Sequence, residues 1–192
     1  MEFKNKQDDY QDFVNKIKDC KLCRLCEKRT QVVPGYGNLD ADLMFVGEGP
    51  GEQEDELGIP FVGRAGQLLD KIFKAADLSR EKDMYITNIV KCRPPENRDP
   101  EKDEIEECKS YLYYQIELIK PKVIVPLGNY SMRFFLDTTL GITKTRGTIN
   151  DWNGIKIIPM YHPSYVLRNQ SKKVKGETWQ DILLVKKMIM NK

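Results

Sequence analysis

The chain has 192 residues, of which 40% are hydrophobic and 31% are charged, and its formal net charge is +2. This length and composition are typical of a globular protein and exclude a disordered chain, so we expect one domain over residues 1–192. No apolar run approaches the ~20 residues that cross a bilayer, and the N-terminus has no apolar signal-peptide core. These two features predict a cytoplasmic protein without a membrane partner.

Hydrophobic periodicity predicts four strands that alternate with helices. We expect the strands at residues 42–47, 84–90, 122–127 and 155–160. We expect helices at residues 10–18, 64–78, 101–119, 129–136 and 177–190, the last with Trp179, Ile182 and Leu183 facing inward. Residues 137–153 are expected to form a loop or a small irregular hairpin. The alternation indicates right-handed βαβ units, so the predicted fold class is α/β, a three-layer α/β/α arrangement with a mostly parallel four-stranded central sheet.

A glycine-rich loop follows the first predicted strand. The sequence GEGPG at residues 47–51 can continue neither a strand nor a helix. The connection to the next helix has about fifteen residues, whereas βα loops usually have two to six. It carries Glu48, Glu52, Glu54 and Phe61. A long loop with these side chains is typical of a ligand site.

The other predicted strands also end in residues that suit a site. Asn88 lies at the end of the second strand, Gly128 and Asn129 follow the third, and His162 follows the fourth. Ligands of open α/β sheets bind at the carboxyl ends of the strands. We therefore expect one site to be assembled there, together with the glycine-rich loop.

The chain has five cysteines, and their spacing indicates a metal centre. Cys20 and Cys23 have the two-residue spacing that lets both sulfurs bind one metal. Cys92 and Cys108 would have to approach this pair in space. Four thiolates serve either a zinc ion or an iron–sulfur cluster, and the spacing does not decide between them. Cys26 is then the extra cysteine, although residues 20–26 could also supply three ligands.

Positive charge is concentrated in two segments. Residues 16–29 hold six lysines and arginines, and a second segment holds Arg168, Lys172, Lys173 and Lys175 without an acid. Two basic segments on either side of an α/β domain predict contacts with the phosphate backbone of a nucleic acid. Lys91, beside Cys92, is expected to belong to a basic loop that faces the same backbone.

The motifs resemble those of the family 4 uracil-DNA glycosylases, the thermostable type that carries a 4Fe–4S cluster. The resemblance covers nearly the whole chain and rests on CKLCRLCEKRT, GEGPGEQEDELGIPFVGRAGQLLD, YITNIVKCRPPENRDP, IVPLGNYS and YHPSYVLRN, in that order. It implies a monomeric, monofunctional repair enzyme that flips uracil out of single- or double-stranded DNA and hydrolyses its N-glycosidic bond. The products would be an abasic site and free uracil.

The resemblance also implies the residues of each site. The ligands of the 4Fe–4S cluster would be Cys20, Cys23, Cys92 and Cys108. The uracil pocket would be formed by Gly47, Glu48, Gly49, Glu54, Phe61, Asn88 and His162.

Specific roles follow from the chemistry of uracil. Phe61 would stack on the flipped base, and Asn88 would both donate to a ring carbonyl and accept from the imide N–H. His162 would act as a neutral hydrogen-bond donor to the departing base. Glu54 would either orient the attacking water or exclude the methyl group of thymine, and both roles stay open.

Two other functions also stay open. A non-catalytic nucleic-acid-binding protein would bind uracil-containing DNA and form no abasic product. An iron–sulfur redox protein would show reversible electron transfer.

Overall fold

The computed structural model describes residues 5–190, and within them six strands form one mixed sheet. The strands are β1 (Tyr36–Gly37), β2 (Leu43–Gly47), β3 (Met84–Asn88), β4 (Val123–Pro126), β5 (Asn150–Trp152) and β6 (Ile155–Ile157). Their order across the sheet is β1-β3-β2-β4-β6-β5. The four inner strands are parallel, whereas β1 and β5 pair antiparallel with β3 and β6.

The four predicted strands are the four inner strands of the sheet. The predicted number of strands is wrong, because β1 and β5 at the edges extend the sheet to six. These edge strands have two and three residues, which is too short for an alternating hydrophobic pattern to indicate them. Short edge strands also offer few unpaired backbone groups to other chains.

Helices cover both faces of the sheet in the described part of the chain. They are α1 (Lys6–Ile17), α2 (Glu52–Leu57), α3 (Arg64–Ala75), α4 (Arg80–Asp83), α5 (Lys102–Ile119), α6 (Asn129–Phe135), α7 (Ile142–Thr145), α8 (Pro163–Arg168) and α9 (Lys172–Met190). Between residues 5 and 190, no helix combines the length and the apolar character that crossing a membrane requires.

The side chains of β2 alternate between two separate cores. Leu43 and Phe45 pack in the core formed with α3 and α9, whereas Met44 and Val46 pack in the core formed with α1 and α5. Since successive residues of a strand point to opposite faces, a fully buried strand requires cover on both sides. The predicted α/β fold with three layers is therefore confirmed.

The last helix differs from its prediction in its start and in its buried face. α9 begins at Lys172, and Trp179 and Leu183 are 39% and 43% exposed, so the prediction that these two face inward is wrong. The buried face is a stripe that includes Val174 and Ile182. Trp179 and Leu183 each lie one residue beyond this stripe and therefore point away from the sheet.

The glycine-rich connection after β2 was predicted to be a loop throughout, but it contains the short helix α2. Acidic residues in its first turn suit the positive end of the helix dipole, and Gly58 ends it in the left-handed conformation. Asp55, buried in this helix, accepts hydrogen bonds from the backbone N–H of Thr30 with both carboxylate oxygens. α2 thereby ties the glycine-rich connection to the cysteine-containing segment.

Candidate active site

A cavity of about 700 Å³ opens at the carboxyl ends of β2, β3 and β4. It brings together residues from the glycine-rich loop, from the ends of these strands and from α8. The predicted site residues that line it are Glu48, Gly49, Glu54, Phe61, Asn88, His162 and Arg168. The structure therefore brings these seven residues to one cavity at the strand ends.

Gly47, the last residue of β2, lies beneath this cavity. It is paired in register with Asn88 at the end of β3. A Cβ atom at Gly47 would lie 2.3 Å from Asn88 Oδ1 and 2.5 Å from Phe61 Cζ. Only glycine leaves room for both side chains, so Gly47 determines how closely Asn88 and Phe61 approach each other.

Asn88 lines this cavity and carries a side-chain oxygen without a hydrogen-bond partner within residues 5–190. The residue is 1% exposed, and its Oδ1 has no hydrogen-bond partner among the described residues. A buried acceptor without a donor costs about 1–3 kcal/mol of folding free energy. Such groups are rare in native structures, and a role in binding or catalysis is one of the reasons for which they are retained. Asn88 Oδ1 is thus positioned to accept a hydrogen bond from a bound molecule.

Phe61 is buried and is held in a left-handed backbone conformation, with a φ of 55°. Glu54 stabilises the following turn because its Oε1 accepts from the backbone N–H groups of Val62 and Gly63, at 2.8 and 2.7 Å. The ring centroids of Phe61 and His162 are 5.9 Å apart, with an interplanar angle of 39°. The glycine-rich connection therefore fixes an aromatic surface beside the histidine.

Two further residues hold Phe61 and were not identified from the sequence. Arg80 donates to the carbonyl oxygens of Pro60 and Phe61 and pairs with Asp70. A Cβ atom at Gly66 would lie 1.8 Å from Phe61 O, so the loop packs directly on the backbone of α3. A glycine inside a helical pattern is a signal for such a close approach. Arg80 carries no comparable signal in the sequence.

The contacts of His162 determine which ring nitrogen carries the proton. Its Nδ1 accepts from the backbone N–H of Ser164 at 3.2 Å and lies 2.7 Å from Ser164 Oγ. Because a backbone N–H can only donate, the proton of the neutral ring lies on Nε2. Burial and the positive charge of Arg168 lower the pKa of His162 to about 4. The ring is therefore a neutral N–H donor at physiological pH.

Glu48 is also perturbed by its position at the cavity. Burial and the neighbouring carboxylate of Asp99 raise the pKa of Glu48 to about 8. Tyr130 donates a hydrogen bond to Asp99 from the opposite wall. Glu48 is thus mostly protonated at neutral pH and can donate a hydrogen bond.

Four of the five cysteines line a second cavity on the α5 side of the sheet. They are Cys20, Cys23, Cys92 and Cys108. Burial raises the pKa of Cys92 to about 12 and that of Cys108 to about 11. Within residues 5–190, no group of three or more histidine, cysteine, aspartate or glutamate side chains is arranged to hold a single metal ion.

Three of these sulfurs accept hydrogen bonds from the wall of the second cavity. Tyr111 Oη donates to Cys20 Sγ at 3.2 Å, and Arg29 Nη1 donates to Cys92 Sγ at 3.2 Å. The backbone N–H of Lys91 donates to Cys108 Sγ at 3.3 Å. Four sulfurs from three separate parts of the chain, surrounded by donors, fit an anionic thiolate-bound cluster.

The predicted basic surface is smaller than the sequence suggested. Arg168 lines the first cavity. The α9 lysines are Lys172, Lys173 and Lys175. They are exposed in the first turns of α9 and do not line the cavity. Arg24 pairs with Glu101, and Arg29 is bound to Cys92. Lys91 is 1% exposed, so the prediction that it faces a DNA backbone is wrong.

Comparison with known proteins agrees with this geometry. Residues 34–183 match the family model of the uracil DNA glycosylase superfamily. The chain is 49% identical to the type-4 uracil-DNA glycosylase of Thermotoga maritima over 176 residues, which cover 91% of each chain. It is 45% identical to the type-4 uracil-DNA glycosylase of Sulfurisphaera tokodaii, covering 89% of this chain and 84% of the relative. Identity to a type-5 uracil-DNA glycosylase of Pyrobaculum aerophilum is 32%, covering 81% of this chain and 82% of the relative. The chain therefore belongs to the uracil-DNA glycosylase superfamily and, within it, to the type-4 uracil-DNA glycosylases.

Proposed function

We propose that this protein removes uracil from DNA by hydrolysing the N-glycosidic bond, leaving an abasic site and free uracil. The observation that carries the proposal is that Asn88, whose Oδ1 is buried and unpaired among the described residues, lines one cavity with Phe61 and His162. The activity named for the type-4 relatives supports the same reaction. A base inside a duplex cannot enter this cavity, so the nucleotide is flipped out of the stack before reaction.

Base selection follows from the hydrogen bonds that Asn88 can form. The imide edge of uracil offers an N–H next to a carbonyl oxygen. Asn88 Oδ1 accepts from that N–H while its amide nitrogen donates to the carbonyl. Cytosine presents an acceptor and an amino group in the same places, so both contacts would be mismatched. Phe61 supplies the aromatic surface on which the base stacks.

Bond cleavage requires stabilisation of the departing base. When the bond between the sugar and the base breaks, the electron pair leaves with uracil as a delocalised anion. Water then adds to the sugar carbon, and the proton that it loses converts the uracil anion to free uracil. His162 donates its Nε2 proton as a hydrogen bond to the base oxygen that gains charge. Backbone N–H groups of Gly47, Glu48 and Gly49, together with the carboxyl group of Glu48, surround the base from the other edge.

Glu54 positions the aromatic wall of the pocket. Its Oε1 is bound to the two N–H groups that follow Phe61, and the carboxyl group lines the cavity. We assign it primarily to holding Phe61. Whether it also orients the attacking water or excludes a methyl group stays a prediction.

The four cavity cysteines would hold a 4Fe–4S cluster. When bound, the cluster would supply a rigid link among the N-terminal segment, the loop after β3 and α5. Cys26 does not line this cavity and is not assigned as a ligand. Burial raises the pKa of Cys23, Cys92 and Cys108, so cluster binding at these three thiols would release protons.

DNA binding would use Arg168 at the cavity and the exposed α9 lysines beyond it, through electrostatic contacts with phosphates. A monomeric state, action on both single- and double-stranded DNA, a single domain and a cytoplasmic location stay predictions from the sequence.

The test is excision from an oligonucleotide that contains one uracil, in single-stranded and duplex form. Alkali cleaves the strand at abasic sites, and a gel resolves the product. We expect cleavage at uracil and none when thymine takes its place. Binding without cleavage would instead indicate a non-catalytic binding protein, and reversible electron transfer without cleavage would indicate a redox protein.

Asn88→Ala tests base recognition in the same assay. We expect the excision rate to fall by at least ~100-fold, since both hydrogen bonds to the imide are lost. Asn15→Ala is the matched control because Asn15 is exposed on α1, and it should retain the parent rate. Excision by Asn88→Ala at the parent rate would show that another side chain recognises uracil.

A further inference from the structure

We propose that Lys91 is a positioning residue, which holds the backbone of Asn88 and so fixes the orientation of the amide that recognises uracil. The proposal rests on the proposed function of the first cavity. It assigns to Lys91 a role inside the protein, in place of the DNA contact that its basic side chain suggested.

The ammonium group of Lys91 lies in a fully polar environment inside the core. Nζ donates to Thr87 Oγ1 at 2.7 Å, to the backbone oxygen of Asn88 at 2.6 Å and to Gln115 Oε1 at 2.6 Å. Burying a lysine is costly unless its charge is compensated and its protons are bound. Three neutral acceptors surround Nζ and specify its position, and burial lowers the pKa of Lys91 to about 7.

The acceptors are themselves held by a second layer of contacts. Gln115, on α5, donates to the carbonyl oxygen of Pro34 and to Tyr85 Oη. Thr87 also donates to the carbonyl oxygen of Pro34. A satisfied buried network of this kind is rigid, because each member has its partners at fixed distances.

Asn88 depends on this network because, among the described residues, its side-chain oxygen is held by packing and not by a hydrogen bond. Its Oδ1 has no partner in the described part of the chain, so no hydrogen bond to that oxygen holds the amide in place. Contact with Gly47 and Phe61 limits the space of the amide, but the direction of the side chain follows from the backbone. Asn88 is the last pair of the β2–β3 ladder, and the N–H groups of Ile89 and Val90 continue the bonding to β2. Lys91 adds to this ladder the hydrogen bond that holds the carbonyl of Asn88.

Lys91 also connects the two cavities. Its side chain holds Asn88, while its backbone N–H donates to Cys108 Sγ, and the next residue is Cys92. A shift of Cys108 or Cys92 would therefore move Lys91, and through Lys91 it would move Asn88.

The experiment is a double-mutant cycle on the single-turnover excision rate of the iron-loaded protein, with Lys91→Met, Asn88→Ala and the double variant. Small misplacements in an active site cost up to ~100-fold in rate, so we expect Lys91→Met alone to reduce excision by about 10- to 100-fold. If Lys91 acts through Asn88, the same change in the Asn88→Ala background should alter the rate by less than ~2-fold. Affinity for abasic DNA should be unchanged in both backgrounds.

A multiplicative loss in the double variant, or no loss in Lys91→Met, would overturn the proposal. Parent protein without excision would overturn the proposed function instead, so the two failures are distinguishable. Iron content and visible absorbance show whether Lys91→Met retains its cluster. If it does not, Thr87→Val replaces it in the same cycle, because it removes one acceptor of Lys91 and keeps the lysine. Thr178→Val is the matched control, since this buried threonine bonds within α9 to Val174, and it should leave excision at the parent rate.

Discussion

His162 provides a direct test of the mechanism because it is the single histidine of the 192-residue chain. Burial and the charge of Arg168 lower its pKa to about 4. With that pKa, only ~0.1% of the rings are protonated at pH 7 and about 10% at pH 5. Since the neutral ring is the hydrogen-bond donor, we expect the excision rate to be nearly flat from pH 5 to 7 and to fall below pH 5.

The same pKa shift predicts a loss of stability in acid. In the unfolded chain a histidine has a pKa of about 6.5, so the unfolded state binds the proton first as the pH falls. The free energy of unfolding therefore keeps the contribution of the neutral ring above pH 6.5 and loses it as the pH falls from 6.5 to 4. Its magnitude is up to about 3 kcal/mol of unfolding free energy. Thermal melts at each pH are therefore needed to separate slower chemistry from unfolding.

The assay combines single-turnover excision between pH 4 and 8 with proton NMR of the single histidine. The variant His162→Asn keeps an acceptor for the Ser164 N–H at the start of α8 and removes the Nε2 proton. We expect it to reduce excision by ~100- to 1000-fold. An NMR midpoint near pH 6.5 would refute the proposed environment of the ring. A parent rate that rises on acidification, with the rise absent from His162→Asn, would show that the ring acts as a charged acid.

Three further predictions concern packing, the cluster and DNA binding. Gly47→Ala should lower excision by at least ~10-fold and cost about 1–3 kcal/mol of unfolding free energy, because its Cβ would overlap Asn88 and Phe61. A Cβ atom at Gly176, in α9, would have no neighbouring atom within 4 Å. Gly176→Ala should therefore raise the free energy of unfolding by about 0.5–1 kcal/mol, measured by denaturant unfolding. Cys108→Ser should lose iron and broad visible absorbance, whereas Cys26→Ser should retain both, and equal iron in the two variants would contradict the ligand assignment. Replacing the three α9 lysines by glutamine should make the slope of log K for DNA binding against log salt concentration shallower by ~0.7–0.9 per lost phosphate contact. Lys187→Gln should leave this slope unchanged. An unchanged salt slope in the triple variant would place these lysines outside the interface.

The central strands and the location of the site could be predicted because they depend on local patterns. A run such as Leu43 to Val46, apolar on both faces, indicates a strand covered on two sides. Once the strands are parallel, their carboxyl ends meet, and residues such as Asn88 and His162 are brought to one edge. The prediction needed no knowledge of side-chain contacts.

The features that were missed depend on contacts between distant parts of the chain. Arg80 supports the carbonyl of Phe61 from nineteen residues away, and nothing in its neighbourhood indicates this. α2 is short and polar, so no hydrophobic period reveals it. The exposed position of Trp179 follows from where α9 rests on the sheet, which a helical pattern alone does not determine.

The burial of Lys91 is the clearest example of a feature that depends on contacts between distant parts of the chain. It also shows that the loop around Cys92 does not present this lysine to DNA. A lysine beside a cysteine motif is usually solvated, so its sequence context favoured a surface role. Two of its acceptors, Thr87 and Asn88, precede it by four and three residues, but the third, Gln115, comes from α5. That third contact exists only when α5 packs on the sheet, and α5 also carries Cys108. The packing of α5 that brings Cys108 to the sulfur-lined cavity therefore also supplies the third acceptor of Lys91.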